Sequence, residues 1–440
     1  MRAETLQITW LDDDGQPQHA DWRSLAGHPP PAKVLVADDA LSADAAYRLA
    51  EHGTGLLWRG DYQNARHLLQ ALGRRVDAAA LSQDRRRVDA AALSQDRRRV
   101  DAAGLSQDRR RVDAAAPAQD RRRVDAAAPV QDRRRIDRLP GQRPPTPPAL
   151  TEVFLAQRAL QARRARILGQ LLLPFDADHG LPLRRAPDVR AAGLQAHGPV
   201  GAHYVASLRE LLGLVGAFEW RKKGVLIPAL GAHIHPHHAV FSPVRGEYVD
   251  LVAQALLPAA AQRGGAFDIG TGTGVLAAVL ARRGLRVVAT DLSAAALACA
   301  ADNLQRLGLA GAVTLQSVDL FPPGRAGVVV CNPPWLPAPA SSALDAAVYD
   351  PDSRMLRGFL AGLAAHLVPG GEGWLVLSDL AEHLGLRPRT ALLGWVHSAG
   401  LRVLGRIDTR PRHRKAVDAG DPLHAARSVE VTSLWRLGVA

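Results

Sequence analysis

The chain has 440 residues, 47% of them hydrophobic, which is enough for a sizeable core in two or three units and excludes a small scaffold held together by cross-links. Its two cysteines, Cys299 and Cys331, lack the spacing of a metal site, and 1–14 lacks the apolar run of a secretory signal. No stretch approaches the roughly 20 uninterrupted apolar residues of a membrane span, so the expected setting is the reducing cytoplasm, away from any membrane. A net charge of +12 suggests a phosphate-rich partner until its distribution is considered.

Taken in chain order, 32–37 (AKVLVA) has a strand pattern and 42–72 a helical one that ends at Gly73. From Arg74 a 12-residue unit of the form RRRVDAAALSQD recurs about five times, with Pro entering at Pro117 and Pro129. The segment from Arg74 to Arg138 holds 18 Arg against 11 Asp and so supplies +7 of the net +12. A period of 12 places equivalent residues about 120° apart on a helix, so Val and Leu form no single apolar stripe and no solenoid core is expected. The segment reads as a solvated linker, with an Arg-rich nucleic-acid tether as the alternative, and the proline-rich 140–148 extends it. A helical pattern resumes over 150–172. Residues 1–73 and 149–235 are therefore expected to form one smaller amino-terminal domain, with 74–148 inserted into it. The cluster Trp220-Arg221-Lys222-Lys223 is either a substrate contact or a solvated turn.

From 236 to 440 strands alternate with helices, the pattern of a parallel sheet covered on both faces. Strands are expected at 266–269, 286–290, 313–316, 328–331, 374–377, 401–407 and 429–435, with helices at 275–283, 293–307, 353–367 and 390–399. The last two strands have no amphipathic helix between them, which predicts an antiparallel return of the final strand. The arrangement resembles the α/β, doubly wound, Rossmann-like fold of class I methyltransferases.

Two motifs fall at carboxyl ends of these strands. The first is Phe267-Asp268-Ile269-Gly270-Thr271-Gly272-Thr273-Gly274, whose glycines allow a sharp turn and close approach of a nucleotide. Gly272-x-Gly274-x-x-Ala277 also satisfies a dinucleotide fingerprint, so a nicotinamide oxidoreductase stays open on this motif alone. Asp268 favours S-adenosylmethionine, because a carboxylate there repels pyrophosphate and can receive an ammonium, directly or through water. Asp291, at the end of the second strand, is placed for ribose hydroxyls. The second motif is Asn332-Pro333-Pro334-Trp335 after the fourth strand. A delocalised NH2 is a poor nucleophile that needs orientation more than a strong base. The Asn332 oxygen and the Pro333 carbonyl can accept its protons, the prolines fix that geometry, and Trp335 offers a flat face.

On these motifs, residues 236–440 are similar to the methyltransferase small-domain superfamily, which includes release-factor glutamine methyltransferases and amino methyltransferases of RNA and DNA. Phe241-Ser242-Pro243-Val244-Arg245-Gly246-Glu247-Tyr248 resembles the element ahead of the corresponding helix in the glutamine enzymes, with an inserted valine and glycine in place of proline. The resemblance implies an S-adenosylmethionine-dependent N-methyltransferase acting on a protein glutamine amide, or alternatively on a ribosomal RNA or other nucleobase amine. It further implies that Gly270, Gly272 and Gly274 cradle the cofactor, that Asp319 accepts from the adenine amine with Leu320 beside the ring, and that Pro334, Tyr349 and Arg245 lie near the acceptor. The run His233-Ile234-His235-Pro236-His237-His238 has no carboxylate or cysteine nearby to complete a ligand set, and no stable metal is expected. Arg410-Pro411-Arg412-His413-Arg414-Lys415 is a basic patch or a solvated loop, and 349–354 is a substrate lid or a plain helix start. Deletion of Arg75 to Arg138 is expected to leave S-adenosylmethionine affinity within about two-fold in a calorimetric titration. Collapse of soluble protein on that deletion would contradict the linker reading.

Overall fold

Short, nearly continuous apolar runs such as Val328-Val329-Val330-Cys331 belong to strands covered on both faces. In the computed structural model, which describes residues 6–12, 14–82, 149–244, 246–340, 345–412 and 418–440, they form the centre of the larger of two α/β sheets. The chain divides into two units, 1–73 with 149–440, and 74–148. Of the second unit the described residues, 74–82, are helical, and the repeat and proline-rich segment beyond them lie outside the described residues.

The amino-terminal sheet contains β1 (Gln7–Leu11), β2 (Pro17–Trp22), β3 (Lys33–Ala37), β4 (Thr54–Trp58), β5 (Leu171–Phe175) and β6 (Tyr204–Ser207), in the order β1-β2-β6-β5-β4-β3. The helical expectation for 42–72 is corrected here. A helix over Ala43–Glu51 ends before Gly53, whose φ is 82°, the buried run Thr54–Trp58 pairs with β3 and β5, and helix resumes only at 62. Pairing on both edges overrides the apolar periodicity of that run. The helix expected over 150–172 likewise stops at Leu168, and the fully buried Leu171-Leu172-Leu173 enters β5.

A small antiparallel pair, β7 (Val225–Ile227) and β8 (Ala232–Ile234), leads into the second sheet. Its strands are β9 (Ala266–Ile269), β10 (Val287–Thr290), β11 (Val313–Gln316), β12 (Ala326–Cys331), β13 (Leu367–Ser378), β14 (Leu401–Thr409) and β15 (Thr432–Val439). Their order is β11-β10-β9-β12-β13-β15-β14; the first five are parallel, and β15 runs antiparallel to both its neighbours. Side chains alternate across the sheet. Val328 and Val330 pack with Val275, Leu276 and Val279 on one face, whereas Val329 and Cys331 pack with Leu356, Phe359 and Leu363 on the other. The helix expected over 353–367 is shorter, Arg354–Leu363, and the final strand begins at Thr432 instead of 429. No described helix is long and apolar enough to cross a membrane.

The amino ends of β9 and β12 approach closely at small residues. A Cβ on Gly327 would lie 2.4 Å from the Ala260 carbonyl oxygen and 2.5 Å from the Ala261 Cα, backbone atoms that cannot swing aside. Gly327→Ala is therefore expected to cost about 1–3 kcal/mol in chemical unfolding; an unchanged midpoint would contradict this packing.

Candidate active site

The register of β9 against β12 pairs Asp268 with Val330 and Ile269 with Cys331, so the two motifs leave neighbouring strands at the same carboxyl edge. Gly270, Gly272 and Gly274 have φ of 72°, 55° and 79°, the left-handed region that only glycine enters freely. A Cβ on Gly272 would meet nothing within 4 Å, whereas one on Gly270 would lie 2.5 Å from the Met355 methyl carbon. The loop is thus open at Gly272 and covered by Met355 at Gly270.

Asp268 is 1% exposed. Its Oδ2 accepts from the Thr271 hydroxyl at 2.6 Å and from the Ala277 amide at 2.9 Å, closing the glycine loop and capping the first turn of the helix Val275–Arg282. Burial, the largest cause, pushes its pKa up to about 6 against the two hydrogen bonds, and the nearby Asp291 charge adds to the rise.

Asp291 is half-buried and bonds the loop from the next strand, accepting from the Gly272 amide at 3.0 Å and from the Ser293 amide at 2.8 Å. Asp319 is exposed, with its carboxylate 3.2 Å from Arg354, and Leu320 adopts φ 63° while its carbonyl accepts from the Thr290 hydroxyl at 2.6 Å. Asn303, buried and not singled out in the sequence, donates to the Thr273 carbonyl at 3.1 Å and accepts from the His235 amide at 2.7 Å. It fastens both the glycine loop and the histidine run. His237 in that run pairs with Asp302 at 3.2 Å, and Asp302 also meets Arg221 of the basic cluster at 2.9 Å.

At the second motif, Pro333 is buried and Asn332, Pro334 and Trp335 are half-buried. The Trp335 indole donates to the Asn332 Oδ1 at 2.9 Å, which fixes the side-chain oxygen's direction. Tyr248 is buried nearby on the chain segment ahead of the glycine loop, and burial raises the pKa of its phenol. Beside Trp335 lies a shallow, solvent-open cleft lined by Glu247, Tyr248, Trp335, Pro411, Glu430 and Thr432. Glu430 is 2% exposed and accepts from Ser378 at 2.6 Å, while Glu247 accepts from the Arg412 amide at 2.7 Å. Tyr349 forms a bridge with Leu336, one residue past the motif, and Asp350 accepts from the amides of Met355 and Leu356 at 2.9 and 3.3 Å. Asp350 is thus the cap of the next helix, within the segment 349–354 expected to start it. Arg245 and 413–417 lie outside the described residues. Glu430 and Asn303 gave no local signal, because they reach the site from other segments of the chain, whereas Tyr248 closes the element 241–248 noted in the sequence.

Residues 231–388 match the family described as methyltransferase small domain. The seven-stranded sheet with its last strand antiparallel is the one expected from the sequence. The chain is 35% identical over 163 residues to a release factor glutamine methyltransferase of Cereibacter sphaeroides, covering 33% of this chain and 56% of that protein. It is 42% identical over 115 residues to another of that name from Moorella thermoacetica, covering 24% and 41%. A ribosomal RNA small subunit methyltransferase C of Alcanivorax borkumensis is 36% identical over 118 residues, covering 26% of this chain and 32% of that protein. The chain spans between a third and about half of the length of these relatives.

Because the folded pKa of Asp268 exceeds the ordinary carboxylate value near 4, the folded state retains a proton between pH ~4 and ~6 that the unfolded state has released. The stability linked to that proton is fully present below about pH 4 and is lost as pH rises through about 6, on the order of 3 kcal/mol in all. Asp268→Asn keeps an oxygen for Thr271 and Ala277 and removes the buried charge. Unfolding measured from pH 4 to 7 is expected to show this loss in the wild type and a flatter profile in the variant. Parallel profiles would contradict the assignment.

Proposed function

We propose that this chain transfers a methyl group from S-adenosylmethionine to a planar nitrogen, the side-chain amide of a glutamine in a polypeptide. The observation that carries the reading is the position of Asn332: its oxygen direction is fixed by Trp335 and it stands beside the glycine loop on the adjacent strand. Gly270, Gly272 and Gly274 would hold the cofactor, with Asp291 at the ribose, Asp319 at the adenine amine and Leu320 beside the ring. Asp268 holds the loop in shape and would offer negative charge to the methionine ammonium. Bound there, the cofactor supplies an electrophilic sulfonium methyl.

Asn332 and the Pro333 carbonyl accept the two N–H bonds of the incoming amide. They turn its lone pair toward the methyl carbon while Trp335 stacks on the amide plane and excludes water. Held in this way, the amide nitrogen would take the methyl that the cofactor would supply, the electron pair of the C–S bond remaining on sulfur, and would release one N–H proton to bulk water. The wall beside Trp335 carries two carboxylates, a phenol and a threonine. That lining suits a group bearing N–H donors and repels phosphodiesters, which favours polypeptide over RNA. The alternative, a nucleobase amine in ribosomal RNA, draws support from Arg410 and Arg412 beside the same cleft.

The test is labelled-methyl transfer into a cell extract that is afterwards treated with protease or ribonuclease. Label lost to protease is expected, and label lost to ribonuclease would move the acceptor to RNA. Asn332→Ala should lower incorporation by roughly 100-fold or more while leaving cofactor affinity within about two-fold. Label independent of Asn332 would contradict the mechanism.

A further inference from the structure

The loop that follows the Asn-Pro-Pro-Trp motif is gripped from outside the catalytic sheet by the helix Leu150–Leu168. The two ends of this helix belong to different cores. Leu168 joins the amino-terminal core, Arg163 pairs with Glu51, and Arg166 donates to the Glu51 carbonyl at 3.1 Å. At the other end Phe154 is 4% exposed and packs with Leu336, Ala338, Leu380 and Leu384, while the Thr151 hydroxyl donates to the Leu384 carbonyl at 2.6 Å.

Between these ends Arg158 reaches both limbs of the loop. Its Nη2 donates to the Pro339 carbonyl at 2.7 Å on the outgoing limb. On the returning limb its Nη1 lies 3.3 Å from Asp345, and its guanidinium carbon lies 3.8 Å from the centre of the Tyr349 ring. Only a planar fork can stack on a ring and donate sideways to two oxygens together. The limbs are tied in turn to both motifs. The Leu336 amide donates to the Val348 carbonyl at 3.1 Å and the Asp350 amide to the Leu336 carbonyl at 2.8 Å, one residue past Trp335. Asp350 caps the helix whose Met355 covers Gly270.

We propose that Arg158 is a positioning residue for methyl transfer, and that Leu150–Leu168 is a strut through which the amino-terminal domain holds 336–340 and 345–350 against the acceptor cleft. The proposal rests on the methyl-transfer reading of the site. Arg158 touches no reacting atom and acts through Tyr349 and Leu336 on the attitude of Trp335.

The experiment compares wild type, Arg158→Ala, Arg158→Lys, Tyr349→Ala and the Arg158→Ala/Tyr349→Ala pair as full chains. S-adenosylhomocysteine affinity is read by calorimetry, amide exchange over 336–340 and 345–350 by mass spectrometry, and methyl incorporation at rising concentrations of an extract's protein fraction. Arg158→Ala should leave S-adenosylhomocysteine affinity within about two-fold, speed exchange in both limbs, and lower incorporation about ten-fold with a higher half-saturating extract concentration. Lysine should not restore the rate, and the pair should be no worse than either single variant. Unchanged exchange in Arg158→Ala, or additive losses in the pair, would overturn the strut. Failure of the wild type to bind S-adenosylhomocysteine would overturn the methyl-transfer reading, and with it the positioning role, while the exchange comparison still decides whether the strut exists.

Discussion

The site depends on one constraint, the in-register parallel pairing of β9 with β12. Paired strands lie about 4.8 Å apart, so Ile269 opposite Cys331 delivers the glycine loop and the Asn-Pro-Pro-Trp motif to the same edge with no further adjustment. A slip of one residue would turn the buried alternation of Val328, Val329, Val330 and Cys331 inside out, so the core that stabilises the sheet also fixes the geometry of the site. At the opposite end the register is set by backbone: the Gly327 amide donates to the Gly265 carbonyl at 3.1 Å, in a space that admits no side chain.

Above that frame, polar groups are used in two different ways. Asp268 is held inside the protein, and its two hydrogen bonds organise the loop only partly against the cost of burial, which leaves its pKa raised. Asn332 is held by a neutral partner, the Trp335 indole, which directs an amide without altering its charge. A tyrosine or phenylalanine in place of Trp335 would keep an aromatic face but lose the indole donor. In this chain one residue therefore carries both a flat aromatic face and the donor that orients the Asn332 amide.

The sequence made the second sheet readable because its strands are short continuous apolar runs bounded by glycine, and because both motifs are contiguous. The amino-terminal sheet was harder to read. Thr54–Trp58 and Leu171–Phe175 are fully buried runs whose strand character comes from partners on either side, and in isolation they extend neighbouring helical patterns. Within the site, Asp291 and the glycines follow from spacing. Tyr248, Asn303, Glu430 and Arg158 arrive from four separate segments, and only the assembled fold brings them to the two loops. The helix start expected within 349–354 is made by Asp350, which bonds the first turn of Arg354–Leu363 across a backbone with left-handed Asp352 and Ser353.

The glycine loop by itself is compatible with either of two cofactors, and the account stands on the choice between them. Calorimetric titration of the full chain with S-adenosylhomocysteine and, separately, with reduced nicotinamide dinucleotide tests that choice most directly. The account predicts saturable binding of the first, weakened by Asp291→Ala, and no heat from the second. Saturable binding of the dinucleotide with none of S-adenosylhomocysteine would contradict it.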